Sequence, residues 1–247
     1  MIGKGKSISH GVAALEYDLA KEIDGQAAAT EIARHELYGC TGAEMVQEMK
    51  PYFTDFPNVK NNCLRFEVSP SIEESSSFTD ADWAELGNDF MQRMGLVNHQ
   101  YIIIKHSRTE SKKEQAHLHI LANRISLSGE LYRDNWIGKR ATEAANAIAK
   151  ERNFVQSQDI GKANKEEIKE AMNSVLKKMQ GFDLTKFQEE LGKLGFKIRE
   201  ARASTGKLNG YYVTARSGTE YKASEIGKGY TFAHIERTQS KLKYNSM

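Results

Sequence analysis

Apolar positions between residues 11 and 23 recur as Val12, Leu15, Leu19 and Ile23, the stripe of a helix that turns about 100° per residue. Tyr17 falls off that stripe and therefore faces solvent or a polar site. The same reading predicts short helices over residues 28 to 37 and 41 to 50, the second stopped by Pro51. Residues 62 to 69, NCLRFEVS, alternate as a strand before Pro70. Thr79 then caps a helix with Trp83, Leu86, Phe90 and Met94 on its core face, closed by Gly95. HQYIIIKH (99 to 106) and HLHILANRI (117 to 125) are apolar almost throughout. They read as two central strands of a sheet covered on both faces, joined as a hairpin. The connection, 107 to 116, is longer than the usual hairpin loop of about two to five residues, which marks it as functional.

A turn at Ser128 and Gly129 precedes a helix over 139 to 152 and a linker over 155 to 163. Beyond it come a helix carrying Ile168, Met172, Val175, Leu176 and Met179 and another over 185 to 194, where Thr185 and Gln188 fit a capping box. Gly206, Gly210 and Gly218 punctuate short strands at 196 to 202, 210 to 216 and 219 to 222. The expected fold class is α+β: a central antiparallel sheet covered by helices over residues 1 to 156, with a smaller α+β region over 157 to 247.

Composition adds only exclusions. With 39% hydrophobic and 28% charged residues, the chain reads as an ordinary globular protein. No stretch approaches the roughly 20 apolar residues of a membrane span, and MIGKGKSISH lacks the apolar region of a signal peptide, so a cytoplasmic location is expected. Cys40 and Cys63 fit no metal or redox spacing. Charge is more informative once divided. The overall +2 conceals 18 basic against 22 acidic residues in 1 to 156, and 17 against 11 in 157 to 247. In the second region Lys197, Arg199, Arg202, Lys207, Arg216, Lys222 and Lys228 alternate with Tyr211, Tyr212, Tyr221 and Tyr230. Phosphates and bases would both find partners there, and the region is expected to be a DNA-binding extension.

The chemistry concentrates in the hairpin. Residues i and i+2 of a strand share a face, so His117 and His119 stand side by side while Leu118 and Ile120 face the other way. His106 ends the preceding strand and lies across from them in a hairpin. Three imidazoles on strands would hold a divalent ion and leave positions open to substrate oxygen. Glu110 and Glu114, in the loop, are alternatives to His106, and Asn123 shares the histidine face as an auxiliary hydrogen-bonding group. A localised basic track past Lys105, Arg124, Arg133, Lys139 and Arg140 is also expected.

GKSISHGVAALEYDLAKE, FEVSPSIEE, HQYIIIKH with HLHILANRI, and LNGYYVTARSGTEYKASEIGKGYTF together resemble the relaxases, the mobilisation nucleases of plasmids and integrative elements, within the wider histidine-hydrophobic-histidine endonucleases. The resemblance implies that Tyr17 is the nucleophile and that His106, His117 and His119 bind Mn²⁺ or Mg²⁺, with Zn²⁺, Co²⁺ or Ni²⁺ as alternatives. It further implies nicking of transfer-origin DNA, single-stranded or hairpin, through a 5′-phosphotyrosyl intermediate. Auxiliary relaxosome proteins and a coupling ATPase would be the partners. The acid that orients the ligands or takes the tyrosine proton stays open among Glu67, Glu110 and Glu114. Two other readings compete. A rolling-circle replication initiator shares the chemistry and would be favoured by a nucleophile at Tyr132, and a DNA-binding module without catalysis would give Tyr17 no role.

Overall fold

The computed structural model describes residues 1 to 23, 25 to 107 and 115 to 245, with side chains through residue 238. It divides into two compact units, Met1–Ser157 and Gln158–Met247. The first unit contains, in chain order, β1 (Ile2–Ile8), α1 (Gly11–Leu19), β2 (Glu22–Ile23), β3 (Gln26–Ala27), β4 (Ala29–His35), α2 (Gly42–Met49), β5 (Cys63–Ser69), α3 (Ile72–Ser75), α4 (Asp80–Arg93), β6 (His99–His106), β7 (His117–Ser126) and α5 (Ile137–Glu151). The second contains α6 (Ser157–Lys178), α7 (Leu184–Lys193), β8 (Lys197–Arg202), β9 (Leu208–Thr214), β10 (Glu220–Lys222), α8 (Ala223–Ile226) and α9 (Phe232–Asn245). None of the described helices is long and apolar enough to cross a membrane.

The first unit is an antiparallel sheet in the order β1-β5-β7-β6-β4, with the predicted hairpin strands inside it. Period-two alternation explains why their sequences are apolar on both faces. Leu118, Ile120, Ile103, Phe66 and Leu64 meet Trp83, Phe90, Ala145 and Ile148 of α4 and α5. On the other face Leu121, Ile102 and Ile104 meet Leu15 of α1 and Met45 of α2. Thr79 caps α4 as expected, in a reciprocal box with Asp82, and Gly95 closes it at a φ of 73°.

Two elements depart from the sequence expectation. Residues 28 to 37, read as a helix, form the edge strand β4 paired with β6. Ala, Glu and Arg favour a helix there, but pairing to an apolar neighbour outweighs propensity. At the opposite edge, β1 went unpredicted because its glycines look like breakers. They serve close packing instead: a Cβ on Gly3 would lie 2.4 Å from the Ala141 oxygen of α5, and one on Gly5 would lie 2.8 Å from Phe66.

In the second unit α6 and α7 cover one face of the sheet β10-β9-β8, burying Ile168, Met172, Phe187, Leu191, Tyr211 and Val213. Residues 157 to 163, expected as linker, are already the first turns of α6. The cap of α7 is Asp183, which accepts the Lys186 N–H at 3.1 Å, and not Thr185, which lies two residues later, already inside the helix.

Replacement of Gly3 by Ala should cost about 1 to 3 kcal/mol in urea unfolding, as overpacking does. Gly192→Ala, where the added carbon meets nothing within 4 Å, should be neutral or stabilising by up to about 1 kcal/mol.

Candidate active site: three histidines beneath helix α1

The face of the sheet under α1 carries the candidate chemistry. In the β6–β7 register His106 lies opposite His117, and His119 follows two residues on. Each of the three offers a ring nitrogen within 4.8 Å of the others. The Nε2 atoms of His117 and His119 approach to 3.1 Å. Two nitrogens about 2.1 Å from one ion must themselves stand about 3.0 to 3.4 Å apart, so the spacing suits a shared cation.

Protonation also suits one. Burial lowers the pKa of His106 and of His117. His119 is pushed down to about 2 by burial, with His106, His117 and Arg65 adding repulsion. Neutral imidazoles are the ligand form. The remaining ring nitrogens of His117 and His106 have oxygen neighbours of the kind that orient metal-binding histidines. His117 Nδ1 is 3.3 Å from the Gln115 carbonyl, and His106 Nε2 donates to the Asp18 carbonyl at 2.8 Å. His119 Nδ1 lies 3.9 Å from Asp18 Oδ1 and 3.4 Å from Arg65 Nη2.

Asp18 is the residue that the sequence reading missed. It is 1% exposed, and Arg65 of β5 grips its carboxylate through Nε at 3.1 Å and through Nη2. Burial raises the carboxyl pKa while Arg65 pulls it back. Its carbonyl belongs to the last turn of α1, where helix oxygens lack partners within the helix, and His106 satisfies it. The negative end of the helix thereby points toward the imidazoles. A signal for Asp18 existed: it lies three residues after Leu15, on the apolar face, where a carboxylate needs a special partner.

Tyr17 precedes Asp18, so its Cα lies about 3.8 Å from that of the residue bonded to His106. Its ring is 56% exposed, and its hydroxyl accepts a hydrogen bond from Lys21 Nζ at 3.0 Å. The phenol is thus open to solvent, with an ammonium on its oxygen.

Other expected residues are placed elsewhere. Asn123 is buried, its amide donating to Gln100 Oε1 and its side-chain oxygen accepting the Ile125 N–H, each at 2.9 Å. Lys105 projects away from the histidines and pairs with Asp80. Arg124 is held by Asp134 at 2.6 Å and by the carbonyls of Asn61 and Tyr132. Glu67 is the cross-strand neighbour of His119 and pairs with Lys4 at 2.9 Å. Arg108, Glu110 and Glu114 lie outside the described residues. Tyr132 donates to the Met94 carbonyl at 2.9 Å and is stacked by Arg140, a structural engagement. In the second unit Arg199 pairs with Glu220 and Arg202 with Glu200, while Lys197 and Lys222 are exposed. Cys63 is buried, and burial pushes its thiol up to about 12.

Residues 17 to 154 match the family model described as relaxase, MobA/VirD2-like, nuclease domain. The chain belongs to this relaxase family. The match begins at Tyr17 and spans the whole histidine cluster. Among solved structures, a metal-bound conjugative relaxase TrwC in complex with oriT DNA is similar at 12% identity and a TM-score of 0.36, over 84% of this chain and 74% of that one. At that distance its residues do not transfer to this relaxase. No curated protein matches.

Removal of the Arg65 side chain should strand the Asp18 carboxylate and cost about 2 to 4 kcal/mol in urea unfolding, with partial recovery on adding Asp18→Asn. His99, 106, 117 and 119 all titrate below their ordinary value in the fold. The unfolded chain therefore takes up their protons first, at about pH 6.5. Their contribution to stability is complete above that pH and is lost as pH falls toward the folded values, so the melting temperature in EDTA should fall from pH 7 to pH 5.

Proposed function

We propose that this relaxase is a metal-dependent, site- and strand-specific DNA-nicking enzyme of conjugative mobilisation, with Tyr17 as the nucleophile and His106, His117 and His119 as ligands. The observation that carries this reading is the bond from His106 to the Asp18 carbonyl, which ties the residue next to an exposed tyrosine into the imidazole cluster. When bound, a divalent cation supplies Lewis acidity to a non-bridging phosphate oxygen of the scissile diester.

The protein's part is then positional. The Tyr17 oxygen forms a bond to phosphorus and gives its proton to solvent, the bond from phosphorus to the 3′-oxygen breaks, and that oxygen takes up a proton from solvent, so the released strand ends in a 3′-hydroxyl. Lys21 sets positive charge beside the attacking oxygen. Asp18 and Arg65 hold the end of α1 against β5, and the Asp18 carbonyl holds His106, so the nucleophile and the ligand set keep one geometry. Because the linkage is a phosphotyrosyl ester, its energy is retained and the same groups can rejoin the strand. The engagement of Tyr132 with Met94 disfavours a rolling-circle initiator acting through that residue.

Incubation with Mn²⁺ and labelled single strands from the transfer region of its element should leave label on the protein, mapping to Tyr17. Tyr17→Phe should abolish the adduct while leaving DNA affinity unchanged. His117→Ala with His119→Ala should lower adduct formation at least about 100-fold and remove the rise in melting temperature that metal gives the unaltered chain. An adduct that persists in Tyr17→Phe overturns the assignment, and tight binding without any adduct favours the non-catalytic module.

A further inference from the structure

Three tyrosines of the second unit have their hydroxyls bonded within it. Tyr211 donates to the Tyr230 carbonyl, and the hydroxyls of Tyr221 and Tyr230 accept from Asn164 and Asn173 at 3.0 Å each. Tyr212 is used differently. Strand alternation sends it to the face opposite the buried Tyr211 and Val213. The register sets Arg199, Tyr212 and Lys222 in one cross-strand row, with Lys197, Thr214 and Glu220 in the next. All four charged residues of these rows are exposed, three cations against one carboxylate. Beside the ring, Ala201 and Gly210 leave little bulk.

The guanidinium of Arg199 lies 4.1 Å from the centre of the Tyr212 ring. Glu220 holds it at Nε (2.9 Å) and at Nη2 (2.6 Å). A fork of this kind fixes the guanidinium plane, so a flat cation is backed by a flat ring on an open sheet face. A merely solvated face accounts for the charges but not for an aromatic ring at their centre with an arginine fixed over it.

We propose that the open face of the β8-β9-β10 sheet is a stacking platform for single-stranded DNA. One base lies on the Arg199 and Tyr212 pair, and the phosphates on either side meet Lys197 and Lys222. The choice of DNA rests on the relaxase reading. An acidic polypeptide would use the cations but has no need of the ring.

The test is fluorescence anisotropy of labelled oligothymidine with the full chain in EDTA, which separates binding from cleavage. Tyr212→Ala should bind about tenfold more weakly, and Tyr212→Phe within about twofold of the unaltered chain. Lys222→Ala should lower the slope of log affinity against log salt by about 0.7, whereas Tyr212→Ala should leave it unchanged. In the unaltered chain, photocrosslinking of a 5-iodouracil strand should map to Tyr212, a result independent of how any variant folds. Equal affinity of Tyr212→Ala, an equal loss in Tyr212→Phe, crosslinks confined to other residues, or competition by polyglutamate as strong as by unlabelled oligothymidine would each overturn the platform. A missing Tyr17 adduct with the Tyr212 effect intact sinks the nicking reading alone; an intact adduct without the Tyr212 effect sinks the platform alone.

Discussion

The carboxylate of Asp18 lies almost without solvent on the sheet face that carries the histidines, and a buried charge persists only with a partner. Arg65 is that partner. The pair anchors the last turn of α1 to β5, and the same residue accepts His106 through its carbonyl. One side chain and one backbone oxygen thus join a helix, an interior strand and one of the three imidazoles. Tyr17 takes its place from this joint, since it lies one residue before it and is otherwise largely exposed.

The sheet divides its labour by parity. Odd and even positions of β5, β6 and β7 face opposite layers, so one face gives a dry core against α4 and α5 while the other mixes apolar contacts near Asn123 with a polar cluster near His106. Neither function disturbs the other. Interior strands hold their side chains more rigidly than loops do, which is what a ligand set requires.

Much of this was legible in the residues because local signals agreed with one another. The hairpin, α4 with its Thr79 cap and the three C-terminal strands all combine periodicity with punctuation. Where signals conflicted, tertiary pairing decided: β4 has helical composition, and β1 has glycines that only α5 explains. The histidine cluster could be read from i, i+2 spacing plus a hairpin, but the grip of Arg65 on Asp18 joins residues 47 apart in sequence and needs the packing of α1 on β5. The direction of Lys105 was readable by the same parity rule, because the neighbour of His106 must face the other layer. Nothing local distinguishes Tyr212 from Tyr211; only knowing which strand face α6 and α7 cover does so.

The two outer strands have a further consequence. β1 presents exposed Lys4 and Lys6, and β4 presents exposed Glu31 and Arg34 with an irregular register between Glu31 and Ala33. Unpaired strand edges are templates for another chain, and charges and bulges on them discourage that pairing. The molecule can therefore keep a long apolar hairpin at its centre, in a sheet that never closes on itself, while its own borders make a second copy a poor sixth strand.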